Sequence, residues 1–182
     1  MGIFNFLKKR KPNQEISSSE NSQPQNQSKD ELQKEKDITI WRFEECIKAL
    51  IALSKEPEAQ RRFVGYGDVN FELVDEFESN YKGYQSAFAE QGLIAPDKIP
   101  QLDNILYFFE HHSKENGVEF WDDSSIENSS IWAELRGIAK AVLKELDMSD
   151  WDISVDRTVE GSHENGENSI FVERTFVHLI KN

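Results

Sequence analysis

The period of the apolar residues changes once along this chain, near Leu146, and that change restricts the possible folds more than any other feature. Before it, apolar side chains recur every three or four residues. The clearest run is 131–146, IWAELRGIAKAVLKEL, with one row at Ile131, Leu135, Ile138, Val142 and Leu146 and a second at Trp132, Ala139 and Leu143. Such a recurrence predicts a helix with one wide buried face. Ser129 or Ser130 can accept the free N–H groups at its start, and Lys140 and Lys144 suit its negative end. After Leu146, Trp151, Ile153, Val155, Arg157 and Val159 alternate with Asp152, Ser154, Asp156, Thr158 and Glu160, the pattern of a half-buried strand. A second strand follows the GSHENGEN loop over 170–179, and apolar residues on both its faces make it the expected inner strand. The expected fold class is α+β, mostly helical, with four to five helices and a C-terminal antiparallel β-hairpin. A hairpin alone is marginal in water. The 131–146 helix is its expected cover, and residues 118–121 read as a third short strand or an extended plug.

The helical half divides at local stop signals. Ile40, Phe43, Ile47, Leu50 and Ile51 mark a first helix, and Pro57 opens a short second one, PEAQRRFV, closed by Gly65. GYGD reads as a turn, without the spacing or the Lys-Ser/Thr pair of a phosphate loop. A third helix is expected over 69–91, with Leu73, Val74, Phe77, Tyr81, Tyr84 and Phe88 on one side and Gly92 as its stop. A fourth, ending near Gly117, carries Leu102, Ile105, Leu106 and Phe109, and Tyr107 and Phe108 make it apolar around much of its circumference. Ser124 and Glu127 match a capping box, so the 131–146 helix begins either there or at Ile131.

Residues 37–182 read as a single acidic domain, preceded by a leader and polar linker over 1–36. The leader MGIFNFLKKRK places Ile3, Phe4, Phe6 and Leu7 before Lys8, Lys9, Arg10 and Lys11, the reverse of a secretory signal. It is too short to span a bilayer, and Phe6 occupies the position where a myristoylation site prefers Ser or Thr. Phe4, Phe6, Leu7 and the four basic residues suit weak contact with an anionic membrane surface. Ser, Gln, Asn, Glu and Lys dominate the following stretch, which predicts a flexible tether. Cys46 is the one cysteine, so the chain forms no internal disulfide; it fits a buried structural thiol in a reducing, cytoplasmic setting.

Net charge is −13. Residues 1–36 hold seven Lys/Arg and five Asp/Glu, leaving 14 against 29, or −15, on the remaining 146 residues. A domain so charged repels nucleic acid phosphates and attracts cationic partners. Solubility alone is the bland source of the same charge.

Chemically capable residues are few. Glu72 and Glu76, four apart, share a helix face and have no histidine partner, which reads as a solvated acidic face. Glu110, His111, His112 and Glu115 form the densest cluster. His112 and Glu115 are half of a two-helix metal site whose second half is missing, so no metal is expected. Asp122 and Asp123 are adjacent, and adjacent residues rarely aim at one atom; nothing nearby supplies a nucleophile or oxyanion donor. His163 and His178 have no companion at a ligand spacing. No Walker loop, dinucleotide fingerprint, nucleophile elbow or zinc spacing occurs, and no cofactor is expected.

MGIFNFLKKRK and its polar linker are similar to the leaders of many small bacterial cytoplasmic proteins. Leader, acidic α+β domain and missing catalytic motif together resemble the immunity proteins that protect bacteria from polymorphic or contact-delivered toxins. The motif-level likeness covers only the first 11 residues, so it carries over no functional residue. It implies a stoichiometric, non-catalytic inhibitor that covers a toxin's basic active site with carboxylates. The expected contact surface is the acidic turn with Glu119, Trp121, Asp122 and Asp123, together with the hairpin loop bearing Glu160, Glu164 and Glu167. Trp121 and Trp151 are the expected anchors if they are not core. Two alternatives stand beside this: an enzyme using Glu110, His111, His112, Asp122 and Asp123, and a peripheral membrane adaptor held by residues 3–11.

Overall fold

A computed structural model describes the backbone of residues 28–162 and 170–182 and the side chains of 28–158 and 174–182. Among them, eight α-helices precede a two-stranded antiparallel sheet, the expected α+β class. The first helix, α1 (Lys29–Ser54), starts well before Asp37, inside the stretch expected to be linker. Its cause is a capping box. The Ser28 hydroxyl accepts from the Glu31 amide at 3.2 Å, and the Glu31 carboxylate accepts from the Ser28 amide at 2.8 Å. These first turns are exposed; burial begins at Thr39 and is continuous from Ala49 to Ser54.

Because α1 is apolar all round near its end, it takes neighbours on every side. It packs on α2 (Pro57–Val64), α3 (Val69–Tyr81), α4 (Gln85–Glu90), α8 (Ser130–Glu145) and both strands. The hairpin therefore rests chiefly on α1 rather than on the 131–146 helix, which corrects the expected cover. That helix is α8. Ser129 caps it, its hydroxyl accepting from the Ile131 amide at 3.2 Å, and Trp132, Leu135, Ala139, Val142 and Leu143 are buried.

The expected 69–91 helix is interrupted between α3 and α4, where Gly83 has φ 88°. After a 3-10 turn at Pro96–Lys98 comes α5 (Ile99–Asn116), which buries Leu102, Ile105, Phe108 and Phe109 but leaves Tyr107 68% exposed. Residues 118–121 are not a strand. They form the short helix α6 (Val118–Trp121), and α7 (Ser125–Asn128) follows as a separate turn of helix. The reason lies in the Phe120 carbonyl, which accepts from Asn70 Nδ2 at 3.2 Å, Ser125 Oγ at 3.1 Å and Trp132 Nε1 at 3.1 Å. Those bonds fold the segment back on the helices, away from any sheet edge. The Ser124–Glu127 box does not form, because Glu127 turns to Arg61.

Strands β1 (Trp151–Ser162) and β2 (Ile170–Lys181) pair from Trp151↔Lys181 to Ser162↔Ile170. Leu179 packs against the core, whereas Phe176 and Ile180 are 48% and 41% exposed, so β2 is not an inner strand. Cys46 is fully buried, and burial pushes its thiol pKa far up. No helix among the described residues is long and apolar enough to cross a membrane.

Candidate functional site

The residues first expected to meet a partner are largely committed to the domain itself. Asp123 and Glu127 bind Arg61 at 2.7 and 3.1 Å. Asp122 accepts from the Ser124 hydroxyl and amide at 2.5 and 2.9 Å, bonds that hold its carboxyl below the usual range. Trp121 is half-buried, edge-on to Phe120 at 4.8 Å, and Trp151 is also half-buried beneath Lys181. Glu119 is exposed. Glu160 lies on β1 opposite Val172, while Glu164 and Glu167 fall outside the described residues, as do Phe4, Phe6, Leu7, Lys8, Lys9, Arg10 and Lys11.

The cluster on α5 does not gather around one point. His111 pairs with Glu115 at 3.0 Å, Glu110 with Lys114 at 3.6 Å, and the His112 ring lies 4.2 Å from Phe108. Glu110 lines a shallow groove with Asp75, Glu78 and Trp121, and neither histidine reaches it. Among the described residues, no group of three His, Cys, Asp or Glu is placed to hold a metal.

Carboxylates converge elsewhere. Trp41, Glu45 and Lys48 fall at i, i+4 and i+7 on α1, and Glu72 and Glu76 at i and i+4 on the adjoining α3. They line a groove of about 490 Å³ closed by Tyr66 and by Phe176 of β2. Lys48 binds Glu45 at 2.7 Å. Glu72 and Glu76 have no ion-pair partner among the described residues; Glu76 accepts only from Asn80 Nδ2, at 3.3 Å. Glu76 is open to solvent on one side but crowded by protein on the other. That partial desolvation, with Glu45, Asp75 and Glu72 nearby, raises its pKa above the ordinary carboxylate value, and the Asn80 bond offsets only part of this.

The aromatic rim is as unusual as the charge. Tyr66 is 82% exposed, and Trp41 is 50% exposed with the Arg42 guanidinium over its ring at 4.7 Å. Tyr66 stands between Gly65 (φ 84°) and Gly67 (φ 119°), left-handed positions that turn the chain sharply enough to present the ring. At Gly65 a Cβ would come within 2.5 Å of Arg157 Nη2, so the turn also lets the hairpin approach α2 closely. Carboxylates beside exposed aromatic faces suit a guanidinium or ammonium group, which gains from both.

A signal for this groove was present but incomplete. Glu72 and Glu76 were visible as an acidic face, and GYGD as a turn, yet nothing in the sequence brings Glu45 and Phe176 to the same place. No protein-family model matches the chain, and no curated protein or solved structure matches it either.

Proposed function

We propose that this is a non-catalytic interaction protein that binds a cationic segment of another protein in the groove between α1, α3 and β2. The observation that carries the reading is the pair Glu72 and Glu76, unpaired among the described residues and bordered by exposed Trp41, Tyr66 and Phe176. Some other acids, Asp123, Glu127, Glu145 and Asp152 among them, instead have a basic partner within the fold. Complementary charge speeds encounter and selects the partner, while desolvated aromatic contacts supply affinity. An immunity-type inhibitor of a basic toxin is the form of this function that the combined likeness of leader and small acidic α+β domain suggests. The fully buried thiol of Cys46 fits a cytoplasmic setting.

Titration of the full chain with a hexa-arginine peptide, followed by calorimetry, tests the groove. Glu72→Gln with Glu76→Gln is expected to weaken binding about tenfold, the scale of one or two charge contacts. Asp123→Asn with Glu127→Gln is expected to change it little, since Arg61 already occupies those carboxylates. Equal affinity for the wild-type chain and the Glu72/Glu76 variant would overturn the reading.

A further inference from the structure

A second groove adjoins the acidic one. It holds about 570 Å³ between α1 and the hairpin and is lined mainly by Ile40, Phe43, Ile47, Leu93, Trp151 and Leu179. Glu44, Lys48 and His178 form its polar edge. Lys48 borders both grooves, and β2 crosses from one to the other, with His178 and Leu179 in the apolar part and Thr175, Phe176 and Val177 in the acidic part. On α1 the two are neighbouring stripes: 40, 43, 44 and 47 against 41, 45 and 48. The surface is therefore bipartite, apolar then acidic.

One segment of this chain has the matching composition in the matching order. Ile3, Phe4, Phe6 and Leu7 are followed at once by Lys8, Lys9, Arg10 and Lys11. We propose that residues 3–11 bind this double groove as an intramolecular ligand, the apolar side chains against Phe43 and Trp151 and the basic ones against Glu72 and Glu76. The leader thereby competes with the cationic partner, so the proposal rests on reading the acidic groove as a cation site.

Reach supports the match. Residues 12–27 separate the leader from Ser28, where the described chain begins. A stretch of that length reaches roughly 55 Å when extended and spans roughly 20–24 Å as a coil. Ile40 to Lys48 lie about 18–30 Å along α1 from Ser28, at about 1.5 Å per residue. A tether whose ordinary span equals the distance it must bridge gives an effective concentration near the millimolar range. Four positive charges meet Glu44, Glu72 and Glu76, Glu45 being already paired with Lys48, and supply the electrostatic complement. The apolar groove is on the scale of ordinary ligand pockets, which makes room for the aromatic side chains.

The test uses the full chain with Asn5→Cys carrying a nitroxide; Cys46 is wholly buried and does not compete for the label. Amide signals of residues 40–48 and 175–179 are expected to lose more than half their intensity relative to the reduced label. The loss is expected to disappear when Phe4→Ser and Phe6→Ser are added, and these same changes should tighten hexa-arginine binding about threefold or more. A mixture of ¹⁵N-labelled chain without nitroxide and unlabelled chain with it locates the donor. Broadening in that mixture as well as in the doubly labelled chain means the leader is given to a second copy and overturns intramolecular docking. Unbroadened groove signals overturn it too, as does a leader that responds solely to added phosphatidylserine vesicles. If the groove stays free but hexa-arginine binding still depends on Glu72 and Glu76, this inference fails and the proposed function survives. If the leader docks and hexa-arginine binds neither the wild-type chain nor the Phe4→Ser, Phe6→Ser variant, whose groove is open, the proposed function fails on its own.

Discussion

Glu76 shows how one carboxylate reports on its surroundings. Its pKa is raised by partial desolvation and then by Glu45, Asp75 and Glu72, so the folded chain holds a proton there more readily than the unfolded chain does. Where the native state binds more protons, stability falls as pH rises. Glu76 thus costs nothing below the ordinary carboxylate pKa, and its unfavourable contribution is complete above the raised one. Glu76→Gln keeps an oxygen for Asn80 and removes the charge. It is expected to stabilise the protein at pH 7 by roughly a few tenths of a kcal/mol, the size of an exposed like-charge contact. Urea denaturation at pH 7 and pH 3.5 checks the sign: the gain should vanish at the lower pH and shrink in 1 M salt. A variant less stable than wild type at pH 7 would mean that the Glu76 carboxylate has an attractive partner instead. The same repulsion is what a bound guanidinium would relieve, which ties this residue's titration to the function proposed.

Between elements, the decisive contacts are few and polar. Asn70 on α3 is fully buried, and its Nδ2 faces the carbonyls of Phe120 and Asp122 and the hydroxyl of Ser125 at 3.2, 2.7 and 2.8 Å. One side chain therefore joins α3 to the turns α6 and α7, and through the Phe120 carbonyl to Trp132 of α8. Asn70→Ala is expected to lower stability by about 2 kcal/mol, because it removes the buried hydrogen bonds that join α3 to α6 and α7 and also opens a small cavity. Chemical denaturation measures that loss, and a change below about 0.5 kcal/mol would show that the junction relaxes around other donors. Junctions of this kind explain what sequence reading recovers. The bounds of α2 and the starts of the two strands are legible because proline, glycine and a change of period act locally, whereas both strands run two residues beyond their expected ends. Residues 118–121 were misread because four residues are too few to display a period, and Asn70, the residue that decides their conformation, lies some fifty positions away. The start of α1 was missed because attention to apolar spacing passes over Ser28 and Glu31, whose capping box needs no apolar residue. The groove was legible only in its Glu72–Glu76 half, since its remaining walls are tertiary.

For the molecule as a whole, the net charge of −13 is an excess of carboxylates that no internal ion pair can neutralise, so the question is whether attraction within the existing pairs or repulsion among the excess dominates. Several ion pairs stitch elements together: Lys98–Glu145 and Lys55–Asp152 at 2.7 Å, Arg61 with Asp123 and Glu127, and Lys140–Glu56 at 3.2 Å. Exposed pairs of this kind contribute only about 0–1 kcal/mol each, whereas a large excess of one sign repels itself across the whole surface. The two effects respond to salt in opposite directions. Between 0.01 M and 1 M salt the Debye length shrinks from about 30 Å to about 3 Å, which removes long-range repulsion before it disrupts partly buried pairs at contact distance. Thermal unfolding in sodium chloride is therefore expected to show a midpoint that rises by a few degrees over this range, roughly the equivalent of 1 kcal/mol for a chain of this size. Hexa-arginine affinity should fall across the same range, because the field that strains the isolated domain is the field that draws a cationic partner. A midpoint that falls with salt would mean that internal pairing dominates, and would leave Glu72 and Glu76 as ordinary surface acids.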